Sequence, residues 1–528
     1  MAFVSLAVLA FVTLVALVYF AVPRKVRWVV LLVASYFFFY LNSEWLLLVL
    51  FAQTCITFGC GLMMAKVDER ATAAMAEMED KKQIREAKVA ARTNKKRFMV
   101  IGVLINVGAL LFLKYYNFFA DNANVLLSIL GVQLPPLGLI VPIGMSFYTL
   151  QAIAYLVDVQ RGKIEADRSL PKFMLFMSYF PQILQGPIPR HQQLAGQLYE
   201  GHSFDYKRMC YGMQLMLWGF MKKMIIADRL AIPVNQIFDN YAYYDGMIVF
   251  LAAAGYGLQV YADFSGGIDI ARGFSEILGI QLTDNFRQPY FSRSIEDFWR
   301  RWHITLGAFM RDYVFYPLSL SKAFGRIGKK ARSLFGSTIG KRIPPFIAMF
   351  IVYFLVGFWH GANWTYITYG VWNGVFITLG ILLEDRYAQA KSKLGIDEES
   401  SSWKLFQMFR TFIICSIGRY FSRAATITAC AGMIRRTMVN WWDLSFIVDG
   451  SLLNLGLDVG NWIVLGIGVL VLLLVDIAHE RGISLRDRLA SQGIAARWLV
   501  YLLALACVLV FGVYGSDYDA ASFIYQQF

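Results

Sequence analysis

Five histidines occur in the chain, and two of them sit where an imidazole could do acid–base work. His360 lies in FLVGFWHGANWTY, with Trp359 before it and Gly361 after it. A neutral imidazole can take a proton from an attacking hydroxyl near physiological pH. Aromatic neighbours would keep the ring partly dry, which disfavours its charged form. The glycine would let a substrate chain pass close to the backbone. The same ring could instead only hydrogen-bond a neighbouring helix, and both readings stand on local sequence. His303 lies in SIEDFWRRWHITLGAFMRDYVFYPL, where Glu296, Asp297, Arg300, Arg301, Arg311 and Asp312 crowd among aromatic residues. So charged a stretch reads as an amphipathic helix, at an interface or inside the protein. Ser294 with Asp297 resembles a capping box at its start. Arg300 or Arg301 could grip a phosphate or carboxylate bidentately, or could only snorkel. Asp263 and Asp269 interrupt the apolar run YADFSGGIDIARGFSEILG. They could pair with those arginines or only fix helix packing. His191, His202 and His479 stand beside charged or turn-forming residues and read as loop or interface groups.

The elements that position these residues are membrane helices. Of the 528 residues, 58% are hydrophobic and 16% charged, whereas a soluble domain carries about 25% charged residues. Uncharged blocks run from Phe3 to Val22, Trp45 to Ala65, Leu137 to Val157, Trp364 to Leu383 and Trp498 to Tyr514. A span needs about 20 apolar residues. Shorter blocks, Trp28 to Leu41 and Pro344 to Trp359, suit broken or re-entrant helices whose free backbone groups other protein covers. The expectation is an all-α polytopic protein, one membrane domain over residues 1–528, with about eleven or twelve embedded helices. The first block reads as a retained span, because its basic residues follow it and it is too long for a signal peptide. His360 falls near the turn of a hairpin between two loops that read as cytoplasmic. In FPQILQGPIPRHQQL, three prolines and a glycine must break a helix close to Gln185.

Charge sets the expected orientation. The net charge of +14 is better explained by loops held in the cytoplasm than by nucleic acid. Lys66 to Arg97 holds ten Lys/Arg and six acids without Gly or Pro, and should be a helical cytoplasmic extension of two spans. Ser319 to Ile343 has seven Lys/Arg and no acid, and also reads as cytoplasmic, as does the mixed loop Glu384 to Lys404. Asp239 to Gly246 and Asn440 to Asn461 lack Lys and Arg and read as external. The tail, residues 515–528, then falls on the external face of the cell membrane. None of the six cysteines shows metal-ligand spacing, and P-loop, GxSxG, CxxC and HExxH patterns are missing.

Five stretches in order resemble the membrane-bound O-acyltransferase family: QGPIPR (185–190), GFMKKMIIAD (219–228), DFSGGIDIA (263–271), FWRRWHITLGAFMRDYVFYPL (298–318) and FWHGANW (358–364). The similarity is strongest over about residues 30–385, to the bacterial branch that contains the membrane subunit of alginate O-acetylation. Teichoic-acid D-alanylation proteins are cousins. Gly267 stands where many relatives have Tyr, and Ala308–Phe309 replace a small residue and Trp, which leaves the acyl preference open.

The resemblance implies a tunnel enclosed by helices, with His360 as the catalytic histidine and His303 as the second family histidine. It implies a cytoplasmic acyl-CoA, such as acetyl-CoA, as donor substrate rather than a tightly bound cofactor. Arg300, Arg301, Arg311, Asn363, Gln185 and Asp263 become candidate contacts to donor or acceptor. The terminal FIYQQF resembles a motif that sits on a separate small peptide in the D-alanylation system, where its tyrosine is implicated as an acyl relay; carried over, Tyr525 would accept the acyl group in cis, the alternative being an aromatic tail packed in the external mouth. A phenol ester is an activated ester that a serine nucleophile could attack. The implied partners are an extracellular transferase of the SGNH/GDSL type and polysaccharide biosynthesis machinery. The rivals are D-alanyl transfer to teichoic acid, a transporter or polymer-export channel, and a membrane scaffold.

Overall fold

The computed structural model describes residues 5–514, without the side chains of Leu6, Leu184 and Gln185. Tyr525 and the FIYQQF tail lie outside the described residues. The chain divides into two compact units, Met1–Met213 with Ala271–Thr283, and Gln214–Ile270 with Asp284–Phe528. Among the described residues the β structure is one antiparallel bridge, Phe286 with Trp302.

The first unit contains α1 (Leu6–Ala21), α2 (Arg27–Ser43), α3 (Leu47–Ala76), α4 (Lys81–Leu127), α5 (Met145–Gln160), α6 (Leu170–Ser178), α7 (Phe180–Gln185) and α8 (His191–Tyr199). The charged stretch 66–97 is helical as expected, continuing α3 and beginning α4. Only a short turn interrupts it, and Asp80 caps the second helix by accepting from the Lys82 amide at 2.9 Å. Lys95 reaches back to Asp68 at 2.5 Å, closing the hairpin. The expected break after α7 is present. Residues 186–190 are non-helical, because Pro187 and Pro189 offer no N–H and disfavour helix in the residues before them. His191 takes its place at the next helix start, with Nε2 3.2 Å from Asp167.

The second unit takes α9 (Tyr206–Phe220) from Gln214 onward, and then a π-helical segment, Met221–Ala227. It continues with α10 (Asp228–Asp239), most of α11 (Gly246–Leu278), α12 (Ile295–Arg301), α13 (Ile304–Phe309) and α14 (Tyr316–Ser319). Then come α15 (Lys322–Gly340), α16 (Ile343–His360), α17 (Trp364–Lys393), α18 (Ser401–Arg423), α19 (Ile427–Val439), α20 (Val459–Glu480), α21 (Leu485–Ala490) and α22 (Ile494–Phe511). Across both units, seven described segments are long and apolar enough to span a membrane: Arg24–Ala76, Lys81–Leu130, Gly246–Leu278, Ile343–His360, Trp364–Lys393, Val459–Glu480 and Ile494–Phe511. The larger expected number of embedded helices includes shorter ones such as α1 and broken ones such as α7.

One expectation changes, and one open alternative is resolved. The stretch around His303 is not one amphipathic helix. It is α12 and α13, broken at Trp302–His303, followed by a π-helical turn over Met310–Phe315. The break arises because Trp302 pairs with Phe286 across the β bridge, which an unbroken helix would not allow. Asp263 and Asp269 pair with lysines of the π turn. Lys223 Nζ lies 2.6 Å from Asp263 and 2.9 Å from Asp228, and Lys222 Nζ lies 2.7 Å from Asp269. Close helix contact makes this possible. A Cβ on Gly219 would come within 2.5 Å of the Gly266 carbonyl, so α9 and α11 cross almost backbone to backbone. The lysines on the π turn then face the α11 carboxylates directly.

Candidate active site

His360 is the last residue of α16, and α17 begins at Trp364. The two helices form the expected hairpin. Their approach is set by glycine, since a Cβ on Gly357 would lie 2.5 Å from the Tyr366 carbonyl and 2.9 Å from the Gly370 Cα. Small residues let membrane helices approach this closely, and van der Waals contact then holds them. Asn363 is the N-cap of α17, accepting from the Thr365 amide at 2.9 Å. Gly361 does not provide an open path for a chain. The Tyr366 ring already fills the space where its Cβ would stand, at 2.6 Å.

His303 sits between α12 and α13 with φ 47° and ψ 52°, a left-handed conformation that is sparsely populated by residues other than glycine. Asn285 holds it there. The Asn285 carbonyl accepts from the Ile304 amide at 3.0 Å. Its side-chain Oδ1 accepts from the Thr305 amide at 2.9 Å and the Thr305 hydroxyl at 2.8 Å. Its Nδ2 lies 3.1 Å from Nδ1 of His303. Its Oδ1 also lies 3.3 Å from the same ring nitrogen, so the Asn285 amide faces Nδ1 with both of its polar atoms. Burial, and secondarily the charge His360 would carry, hold the His303 imidazole well below its ordinary range.

The two imidazoles share one aromatic enclosure, and both are buried. The Trp359 ring lies 5.8 Å from His303 and 5.1 Å from His360. Phe264 of α11 meets His303 edge-on at 5.0 Å, and Tyr369 of α17 lies 6.3 Å from His360. Trp299 donates its indole N–H to Asn373 Oδ1 at 3.1 Å, tying α12 to α17. Behind this wall lies Arg419 of α18, 5% exposed. Its guanidinium stands 4.9 Å above the Trp302 ring and donates to the Tyr369 hydroxyl at 3.3 Å. No carboxylate is within ion-pair distance of it among the described residues. The buried charge is offset by aromatic faces and a hydroxyl.

The structure therefore brings His303 and His360 together, but it gives the other candidates different surroundings. Arg300 is exposed and pairs with Glu296 at 2.5 Å. Arg301 is engaged by Asp297 at 3.1 Å and by Glu480 at 2.7 Å and 3.1 Å, so its fork is occupied by protein carboxylates. Arg311 is largely exposed and bonds Asp312 at 2.9 Å. Asp263 is buried against Lys223. Gln185 ends α7 in the first unit, and its side chain lies outside the described residues, as does Tyr525. Sequence reasoning missed Asn285, Arg419, Lys222 and Lys223. The adjacent lysines carried a usable signal, because ionisable residues at bilayer depth are rare. Asn285 and Arg419 carried none, since only the fold brings them to the site.

Comparison with known proteins adds the following. The family model described as MBOAT, membrane-bound O-acyltransferase family, matches residues 160–393. The chain is 32% identical to the probable alginate O-acetylase AlgI of Pseudomonas syringae pv. tomato, over 68% of this chain and 64% of that protein. It is 30% identical to the probable alginate O-acetylase AlgI of Pseudomonas aeruginosa, over 84% of this chain and 75% of that one. It is 31% identical to the peptidoglycan O-acetyltransferase of Helicobacter pylori, over 65% of this chain and 64% of that one. The matched regions thus span about two thirds to three quarters of these relatives.

Proposed function

This chain belongs to the membrane-bound O-acyltransferase family, and from that premise and the geometry around the two histidines we propose that it transfers an acetyl group for O-acetylation of an extracellular polysaccharide. The observation that carries the reading is the pair of buried imidazoles in one aromatic enclosure, His303 fixed by Asn285 and His360 at the mouth of a glycine-packed hairpin. The relatives named for alginate and peptidoglycan O-acetylation support the acyl group and the kind of acceptor.

His360 acts as general base. It removes the proton of an acceptor hydroxyl while the oxygen attacks the carbonyl carbon of an acetyl thioester. The tetrahedral intermediate collapses, the C–S bond breaks, and His360 returns the proton to the departing thiolate. His303, buried and held by Asn285, serves to orient the acceptor or stabilise the oxyanion. The donor is a cytoplasmic acyl-CoA, drawn to basic segments such as α15. The acyl group leaves on the external face, where Tyr525 is its first acceptor and an SGNH/GDSL-type partner passes it to the polymer. The arginines first considered as donor contacts are already paired with carboxylates, which favours a positioning role for Arg301 over phosphate binding.

The test is His360→Ala in cells making the polymer. The variant should reach the membrane in normal amount and leave the polymer unacetylated, because loss of a general base alone costs about 10²–10⁴-fold in rate. Normal acetylation would sink the assignment. Intact-mass analysis of the full-length protein tests the relay separately, through an acetyl adduct that Tyr525→Phe removes.

A further inference from the structure

The second unit contains a cleft of about 460 Å³ between α9, the π turn, α20 and α22. None of the residues that enclose the histidines lines it. Along α20 it runs from Val464 to His479, which is about 22 Å at 1.5 Å per residue. That exceeds the depth of one leaflet, roughly half of a 30 Å hydrocarbon core. The wall is hydrocarbon for most of this length, with Leu217, Val471 and Val508 typical of it. Such a wall offers nothing to orient a compact polar ligand, but it suits an extended acyl chain.

The polar lining gathers toward one end. Gln214 donates to the Tyr501 hydroxyl at 3.0 Å, and His479 and Arg486 close that end of the cleft. The chain there is basic. Residues 480–497 hold Arg481, Arg486, Arg488 and Arg497 against Glu480 and Asp487, and Glu480 is engaged by Arg301. Basic pockets between membrane helices on the cytoplasmic side recognise anionic lipid headgroups, and the positive-inside rule puts this connection on that side.

A second observation gives the occupant a task. Of the residues of α22, only Val508 is buried. Its other links are narrow ones, such as the Val513 amide donating to the Met224 carbonyl at 3.2 Å just beyond its end. In a bilayer, helices associate through packing contacts rather than hydrophobic exclusion, so an open cleft beside α22 leaves it weakly held.

We propose that the cleft binds one anionic glycerophospholipid, one acyl chain lying between α20 and α22 and the phosphate at Arg486 and His479. The lipid completes the packing of α22 against the π turn. The site is separate from the histidines, so it stands or falls independently of the acyl-transfer reading.

The experiment uses the full-length purified protein, delipidated and then given phosphatidylglycerol or phosphatidylcholine, read by native mass spectrometry and by thermal unfolding. The wild type should retain one phosphatidylglycerol and melt higher with it than with phosphatidylcholine. Arg486→Gln should reduce the preference for phosphatidylglycerol about five-fold, the worth of one basic residue at the headgroup. Ala504→Trp, which fills the cleft, should abolish retention and the lipid-dependent rise in melting temperature. Its melting in detergent alone reports whether it folds, and Arg486→Gln carries the test if it does not. Equal retention of the two lipids by the wild type would overturn the proposal. So would unchanged retention in Ala504→Trp, an unaltered preference in Arg486→Gln, or a co-purifying polyprenyl phosphate in place of the phospholipid.

Discussion

Replacing Lys223 with Met tests whether the charges inside the second unit are a structural lock. Lys223 is 2% exposed, and its ammonium lies between Asp263, 1% exposed, at 2.6 Å and Asp228, 8% exposed, at 2.9 Å. Methionine keeps the length of the side chain and removes its charge. Two buried carboxylates then lose the ammonium that lies between them. Breaking a buried pair from one side costs about 3–5 kcal/mol, because the remaining charge is uncompensated. Asp263→Asn should cost less, since the amide still accepts from the ammonium and Asp228 still pairs with it. The double variant should lose less than the sum of the two singles, because the second change removes a carboxylate that the first stranded. The assay is thermal unfolding of the detergent-purified protein, followed by fluorescence and size exclusion. A Lys223→Met protein that melts with the wild type, or strictly additive losses, would refute the reasoning. Such a result would leave these charges available for another role at the site.

Three other substitutions probe the enclosure. Asn285→Ala removes the amide that fixes His303 and that accepts from the Thr305 amide and hydroxyl, so acyl transfer should fall about 100-fold, read as kcat with KM little changed. Arg419→Met should lower stability by about 2 kcal/mol through loss of the cation–π contacts with Trp302 and Tyr369, with Arg419→Lys in between, both measured by thermal unfolding. Gly370→Val should prevent the hairpin from closing, because its Cβ would collide with the Tyr353 carbonyl and the Gly357 Cα, and purification should recover little folded protein.

The hairpin at His360 was legible because an apolar block stands on each side of it, whereas the part that Gly357 and Gly370 play in closing it came only with the structure. The helical extension over 66–97 was legible because helix formers run there without Gly or Pro. The break at 186–190 followed from the prolines and glycine of FPQILQGPIPRHQQL. The bend at His303 was not legible. It depends on Trp302 pairing with Phe286 and on Asn285 closing the turn, contacts between segments about eighteen residues apart that leave no local pattern. The partners of Asp263 and Asp269 stayed open in the sequence for a related reason. Lys222 and Lys223 reach them through a π turn, and a π turn shifts helix phase without announcing itself in composition. Arg419 was invisible because it lies far along the chain, outside the stretch that the family model matches, and only the packing of α18 on α17 brings it behind the two histidines.

The most direct measurement is acetyl transfer by the purified full-length protein in sealed proteoliposomes, with radiolabelled acetyl-CoA on one face and label followed on the protein and on the opposite face. Wild type should pass label from the face of the basic segments to the other, and His360→Gln should lose at least about 100-fold of that rate while remaining folded and inserted. Equal transfer by His360→Gln would contradict the assignment of His360 as the base of a transmembrane acetyl transfer.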